Sequence, residues 1–125
     1  MLDTHALLWW WQDSPRLSAR ASAAMADPTH AIWVSAASVW EMSIKHQQGK
    51  LSGVPTEPEQ LRALLARSGF ELLPIDAAHA LHAGNHPAQH RDPFDRMLAA
   101  QAELEDATLV TRDAAFGAFG CRVLW

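Results

Sequence analysis

Short β-branched and aromatic runs alternate with helical stretches along nearly the whole chain, and this alternation constrains the fold more than any other feature. Met1 to Thr4 read as the tail of a strand, followed by a short helix from Ala6 to Gln12 that ends near Ser14-Pro15. Ser18 caps a second helix running to about Asp27-Pro28, and His30 to Ser35 form a strand. A helix from Ser38 to Gln48 stops at Gly49, and Leu51 to Glu57 form a loop. Pro58 opens a helix to Ser68, which Gly69 ends, and Phe70 to Pro74 give a strand. Asp76 caps a helix that breaks at Gly84-Asn85, and Asp92-Pro93 open another from Phe94 to about Glu105. Thr108 to Thr111 form a strand, Ala114 to Ala118 a short helix, and Arg122 to Trp125 the last strand. Strands separated by helices pair in parallel, so the expected fold is α/β, with a mostly parallel sheet covered on both faces.

Such a fold needs a core, and 125 residues with 49% hydrophobic and 19% charged side chains supply one for a single compact domain over residues 1–125. No internal repeat or linker divides the chain. The one cysteine, Cys121, has no partner for an internal disulfide. No apolar run approaches the roughly 18 residues of a membrane span. Asp3 stands where a signal peptide carries basic residues, so a cytoplasmic protein is expected.

In parallel sheets, ligands bind outside the carboxyl ends of the strands. Asp3 falls at the end of the first strand, and Asp113 just past the strand ending at Thr111. Glu41 is expected in the first turn of the helix after the second strand, and Asp95 in the first turn opened by Asp92-Pro93. All four acids therefore point to one rim. Two like charges 4 Å apart repel by roughly 4 kcal/mol at an effective dielectric near 20, so such a rim needs cations. Magnesium takes oxygen ligands, keeps several waters and is commonly held by a few carboxylates plus substrate phosphate. The net charge of −4, from 10 basic and 14 acidic residues, argues mildly against a polyanion partner. Two divalent ions bound to the four acids would cancel that charge.

Each acid also has a plainer role. Glu41 and Lys45 suit an i,i+4 ion pair on a polar stripe with Ser38 and Gln48, opposite an apolar stripe of Val39, Trp40 and Ile44. Asp92 and Asp95 suit helix capping, and Asp113 suits capping of the turn after it. Asp3 is harder to explain this way, because an acid at a buried strand end needs a partner.

Four segments carry a resemblance: Leu2-Asp3-Thr4-His5-Ala6-Leu7-Leu8-Trp9, Val34-Ser35-Ala36-Ala37-Ser38-Val39-Trp40-Glu41, the run from His90 to Ala102 (HRDPFDRMLAAQA), and Leu109-Val110-Thr111-Arg112-Asp113. In order and spacing they resemble the PIN domain, and more closely the VapC-type toxins of bacterial type II toxin–antitoxin systems. The resemblance implies a three-layer α/β/α sandwich and cleavage of single-stranded or loop RNA with Mg²⁺ or Mn²⁺. It also implies a cognate antitoxin whose tail fills the groove, and a homodimer or toxin–antitoxin hetero-oligomer. Carried over by motif, Asp3, Glu41, Asp95 and Asp113 are the catalytic, metal-binding acids, with Thr4 and Thr111 as supporting hydroxyls. Asp95 is preferred to Asp92 because the family acid directly precedes the apolar run Met97-Leu98-Ala99-Ala100. Only Met1 and Leu2 precede Asp3, where the family carries a longer apolar strand, so a late start or a shortened first strand is expected.

Around the acids, His90, Arg96 and Arg112 are candidate contacts to RNA phosphate. His79 and His82 have a spacing suited to zinc, but Gly84-Asn85 is expected to end their helix before His86, and no cysteine is near in sequence. No zinc site is therefore expected. Trp9, Trp10 and Trp11 cannot all face one core, so at least one is expected on the surface or under a partner. The alternatives to a ribonuclease are a nuclease for structured DNA and an inactive PIN-fold interaction module. A magnesium phosphatase would need an Asp-x-Asp nucleophile motif, which the chain lacks.

Overall fold

The computed structural model describes residues 1–125. Two parallel strand pairs form its backbone. β1 (Ile32–Ser35) pairs with β2 (Phe70–Leu73), placing Ile32 beside Phe70 and Ser35 beside Leu73. β3 (Leu109–Val110) pairs with β4 (Val123–Leu124). Leu2 joins the two pairs through parallel bridges to Val34 on one side and Val110 on the other. The amide of Leu2 donates to Trp33 O, that of Asp3 to Val110 O, and that of Val110 to Met1 O. Leu2 thus stands as a single bridging residue at the centre of the sheet.

Alternation along the strands divides the side chains between two faces. Leu2, Ile32, Val34, Phe70 and Val110 enter one hydrophobic cluster, with Leu7, Met25, Met42 and Leu65 from the helices. Met1 and Leu109 enter the other, with Leu98, Ala99, Phe116 and Phe119, and Trp33 and Leu73 pack against it. The result is the expected α/β/α sandwich. On the first face lie α1 (Thr4–Trp11), α2 (Ala19–Ala26), α3 (Ala36–Gln47) and α4 (Pro58–Ser68). On the second lie α6 (Pro93–Leu104) and a 3₁₀ turn (Ala114–Phe119), with α5 (Ala77–Asn85) packed along α6. No helix is long and apolar enough to cross a membrane.

Local chemistry sets the helix ends. Asp3, Ser18, Ser35, Asp76, Asp92 and Asp113 each accept an N–H from the first turn they open. Pro58 and Pro93 take first helical positions, and Gly69 ends α4 at φ 69°, a conformation that side chains with a Cβ avoid. Two helices begin earlier than expected: α1 at Thr4, because Asp3 is its cap, and α3 at Ala36, because Ser35 is. Glu41 therefore lies in the second turn of α3, not the first.

The faces of α3 also differ from the expected stripes. Ser38 is buried, since Thr4 Oγ1 donates to its hydroxyl at 2.9 Å. Trp40, expected to face the core, is 60% exposed and meets Phe94 edge-on at 5.1 Å. Of the tryptophan triplet, Trp9 is buried, Trp10 packs on Phe70, and Trp11 donates to Ser68 Oγ at 3.2 Å. The exposed tryptophan is Trp40 rather than one of these three.

Candidate active site

Asp3 leaves the sheet at the carboxyl end of the Leu2 bridge. Its side chain is buried, and each oxygen accepts one hydrogen bond. Oδ1 accepts the His5 amide at 3.1 Å, and Oδ2 accepts the Thr111 hydroxyl at 2.7 Å. Burial pushes the Asp3 pKa up, but the hydrogen bonds from His5 and Thr111 outweigh it and hold the carboxyl below its ordinary range. The bond to Asp3 in turn raises the pKa of His5, whose Nδ1 lies 3.8 Å from Oδ1. Thr111 Oγ1 also accepts the Asp113 amide at 3.0 Å. One buried hydroxyl thus binds two of the four sequence-predicted acids into one unit. Asp113 accepts from the Ala115 amide at 2.8 Å, so its capping role is real, and its exposed carboxylate still faces the same cavity as Asp3.

Glu41 and Asp95 reach this rim from α3 and α6. Thr4, in the first turn of α1, pins that helix to Ser38, one turn before Glu41. Lys45 Nζ sits 2.6 Å from Glu41 Oε1, so the i,i+4 pair forms as well. The charges of Lys45 and Glu41 both bear on His5, the neighbour of Asp3. His90 Nε2 lies 2.6 Å from Asp95 Oδ2. Burial raises the Asp95 pKa, the His90 bond opposes it, and the charges of Asp92 and Asp3 push further upward. Asp92 keeps its capping role, accepting from the amides of Phe94 and Asp95.

Three acids of the rim each have a basic neighbour: Asp3 has His5, Glu41 has Lys45 and Asp95 has His90. No three of its carboxylates bring oxygens within 4.8 Å of one another; the one group of three that does so is His82, His86 and Glu103, elsewhere on the molecule. With Mg²⁺–oxygen bonds of about 2.1 Å, direct ligands of one ion lie at most about 4.2 Å apart, so these all-oxygen donors suit Mg²⁺ only with side chains drawn inward or with waters between carboxylate and ion.

An open cavity of about 480 Å³ flanks the rim, lined by Asp3, His5, Trp9, Arg16, Arg112 and Asp113. Arg112 lies over the Trp9 ring, 4.9 Å from its centroid, and its charge faces the cavity beside two acids. Arg16 joins it there. Sequence reasoning missed Arg16, because a basic residue in a loop carries no positional signal.

Arg96 is placed differently from expectation. Its guanidinium donates to the carbonyls of Ala83, Gly84, His86, Ala88 and His90, at 2.7–3.3 Å. It clamps the segment from α5 to His90 and has no donor left for a phosphate. Its effect on the rim passes through His90, which that segment delivers to Asp95.

The profile of the PIN domain family matches residues 1–120. No curated protein matches the chain by sequence. Among solved structures, VapBC2 from Rickettsia felis, bound to a DNA fragment from its promoter, is similar with a TM-score of 0.69 and 17% identity, over 99% of this chain and 96% of that one. FitAcB from Neisseria gonorrhoeae gives 0.65 and 20%, over 99% and 95%. FitAB bound to a DNA fragment gives 0.62 and 22%, over 98% and 92%. At these identities the likeness is one of fold, while the family profile spans nearly the whole sequence; the chain belongs to the PIN domain family.

Proposed function

We propose that this chain is a divalent-metal-dependent endoribonuclease, the VapC-type toxin of a toxin–antitoxin pair, acting in the cytoplasm on single-stranded or loop RNA. The observation that carries the reading is Asp3: a buried carboxylate kept ionised at the carboxyl end of the central strand by Thr111 and His5, with Asp113 tied to the same Thr111 hydroxyl and facing the same cavity. A structural acid in that place would be expected to pair once with a fixed cation. Asp3 instead pairs with hydrogen-bond donors that favour its charge and leave it available to a metal.

Asp3, Glu41, Asp95 and Asp113 would hold Mg²⁺, or Mn²⁺, which when bound supplies an activated water and stabilises the departing 3′ oxygen. Thr111 fixes the orientation of Asp3 and the backbone of Asp113, and Thr4 sets the height of α3 through Ser38. His5, Lys45 and His90, the neighbours of Asp3, Glu41 and Asp95, would face substrate phosphate. Arg112, held over Trp9, and Arg16 beside it would receive a neighbouring phosphate in the cavity. The solved relatives VapBC2 and FitAB are toxin–antitoxin pairs, which supports an antitoxin partner for this chain, as a homodimer or a mixed assembly.

The test is cleavage of RNA and DNA substrates by purified protein with and without Mg²⁺. Asp3→Asn and Asp95→Asn are expected to abolish RNA cleavage while the far-ultraviolet circular dichroism stays that of the parent. Metal-dependent cleavage retained by both variants refutes the site. Preference for DNA favours a DNA nuclease, and inertness of the parent on either substrate favours an interaction module.

A further inference from the structure

Three histidines line the seam between α5 and α6, away from the acidic rim. His79 is spoken for: its Nδ1 accepts the Asp76 amide, and its Nε2 meets Glu105 at 3.0 Å. His82 and His86 behave otherwise. Both direct Nε2 at one carboxylate, Glu103 of α6, with His82 at 2.5 Å from Oε2 and His86 at 3.1 Å from Oε1. The expected helix break does not separate them, because α5 runs to Asn85 and His86 is its C-cap, one turn beyond His82. Glu103 lies eight residues past Asp95 on α6, about 12 Å along the helix.

We propose that His82, His86 and Glu103 form a zinc-type transition-metal site that clips the end of α5 to α6. Their ligand atoms lie within 4.8 Å of one another. Two imidazoles and one carboxylate are a donor set that zinc takes, with a fourth position for water. Zinc–nitrogen and zinc–oxygen bonds of about 2.0–2.2 Å put tetrahedral ligands roughly 3.3 Å apart, so the His82–Glu103 contact opens by less than about 1 Å to admit the ion. The surroundings suit a site partly shielded from water: His86 is 9% and Glu103 26% exposed at the side chain, and His86 packs on Phe119 at 5.0 Å.

Loading has a structural cost that makes it recognisable. His86 Nδ1 now accepts the Ala88 amide at 3.1 Å, which keeps the ring proton on Nε2, facing Glu103. A metal on Nε2 moves that proton to Nδ1, and the Ala88 amide loses its acceptor. The ion therefore frees an amide in the segment clamped by Arg96.

Zinc binding is measured with Zn²⁺ alone, on full-length protein carrying Asp3→Asn and Asp95→Asn so that the acidic rim does not compete. One equivalent is expected to bind and raise Tm by about 5 °C or more, while amide exchange at Ala88 accelerates. His82→Ala, His86→Ala and Glu103→Gln are each expected to weaken binding roughly tenfold or more. Glu103→Gln keeps the side chain's size, with one oxygen to accept from one histidine and an amide to donate to the other, and decides the matter if an alanine variant fails to fold. No binding at millimolar Zn²⁺, or binding unchanged in Glu103→Gln, overturns the site. Neither outcome bears on RNA cleavage, which depends on other residues.

Discussion

Replacing Thr111 by valine exchanges one hydroxyl for a methyl and keeps the side chain's shape. That oxygen is buried and serves two partners, donating to Asp3 Oδ2 at 2.7 Å and accepting from the Asp113 amide at 3.0 Å. A hydrogen bond to a charged group is worth about 1.5–3 kcal/mol, and a neutral one about 1. Asp113 is exposed enough for water to replace part of the second. The expected loss in Thr111→Val is thus about 3 kcal/mol at neutral pH. With an unfolding entropy near 2.1 cal/mol/K per residue, that corresponds to a fall in Tm of about 11 °C. The pH dependence identifies the cause. Asp3 has a depressed pKa in the fold, so its stabilisation is present above the unfolded value and is lost as pH falls through the folded one. The gap between parent and variant should therefore be widest near pH 7 and narrow below about pH 4. Urea denaturation at several pH values measures it, with Thr111→Ser, which keeps the hydroxyl, losing only about 1 kcal/mol. A gap under about 0.5 kcal/mol at pH 7, or one equally wide at pH 3, refutes the account of how Asp3 is held.

Two further expectations rest on other residues. Arg96→Lys replaces a fork serving five carbonyls with a point charge, and is expected to cost about 2 kcal/mol and to speed amide exchange between residues 83 and 90; unchanged exchange there shows that the segment holds itself. Burial, with the charge of Glu103 adding, pushes the Cys121 thiol up to about 11, so alkylation at pH 8 should run roughly 100-fold slower than for an unperturbed thiol and keep rising past pH 10. A plateau by about pH 9.5 contradicts this.

Much of this fold is legible in the sequence because its signals are local. A cap sits next to the turn it caps, and strand runs show their own composition, so the element order and the strand-end positions of Asp3 and Asp113 follow from short windows. What is not legible depends on side-chain bonds between distant residues. Ser38 belongs to a polar stripe by period, yet Thr4, 34 positions away, draws it inside. Gln101 is fully buried because Ser35, 66 positions away, donates to its Oε1 and Pro74 O accepts from its Nε2. Arg96 reads as a free cation until the carbonyls of a segment without regular structure close around it. The acids illustrate the same division. Asp3 and Asp113 follow from strand-end logic, whereas Glu41 and Asp95 needed a family resemblance, since their local pairs with Lys45 and His90 are equally good as surface chemistry.

The single bridging residue at the centre of the sheet bears on how the protein is made. Leu2 and Asp3 are synthesised 108 residues before Val110 and Thr111, which complete their bonding. A growing chain that has not yet exposed residue 111 has β1 and β2 but no second strand pair, and Asp3 has no hydroxyl to meet. Assembly of this part of the acidic rim therefore waits until residue 111 has emerged.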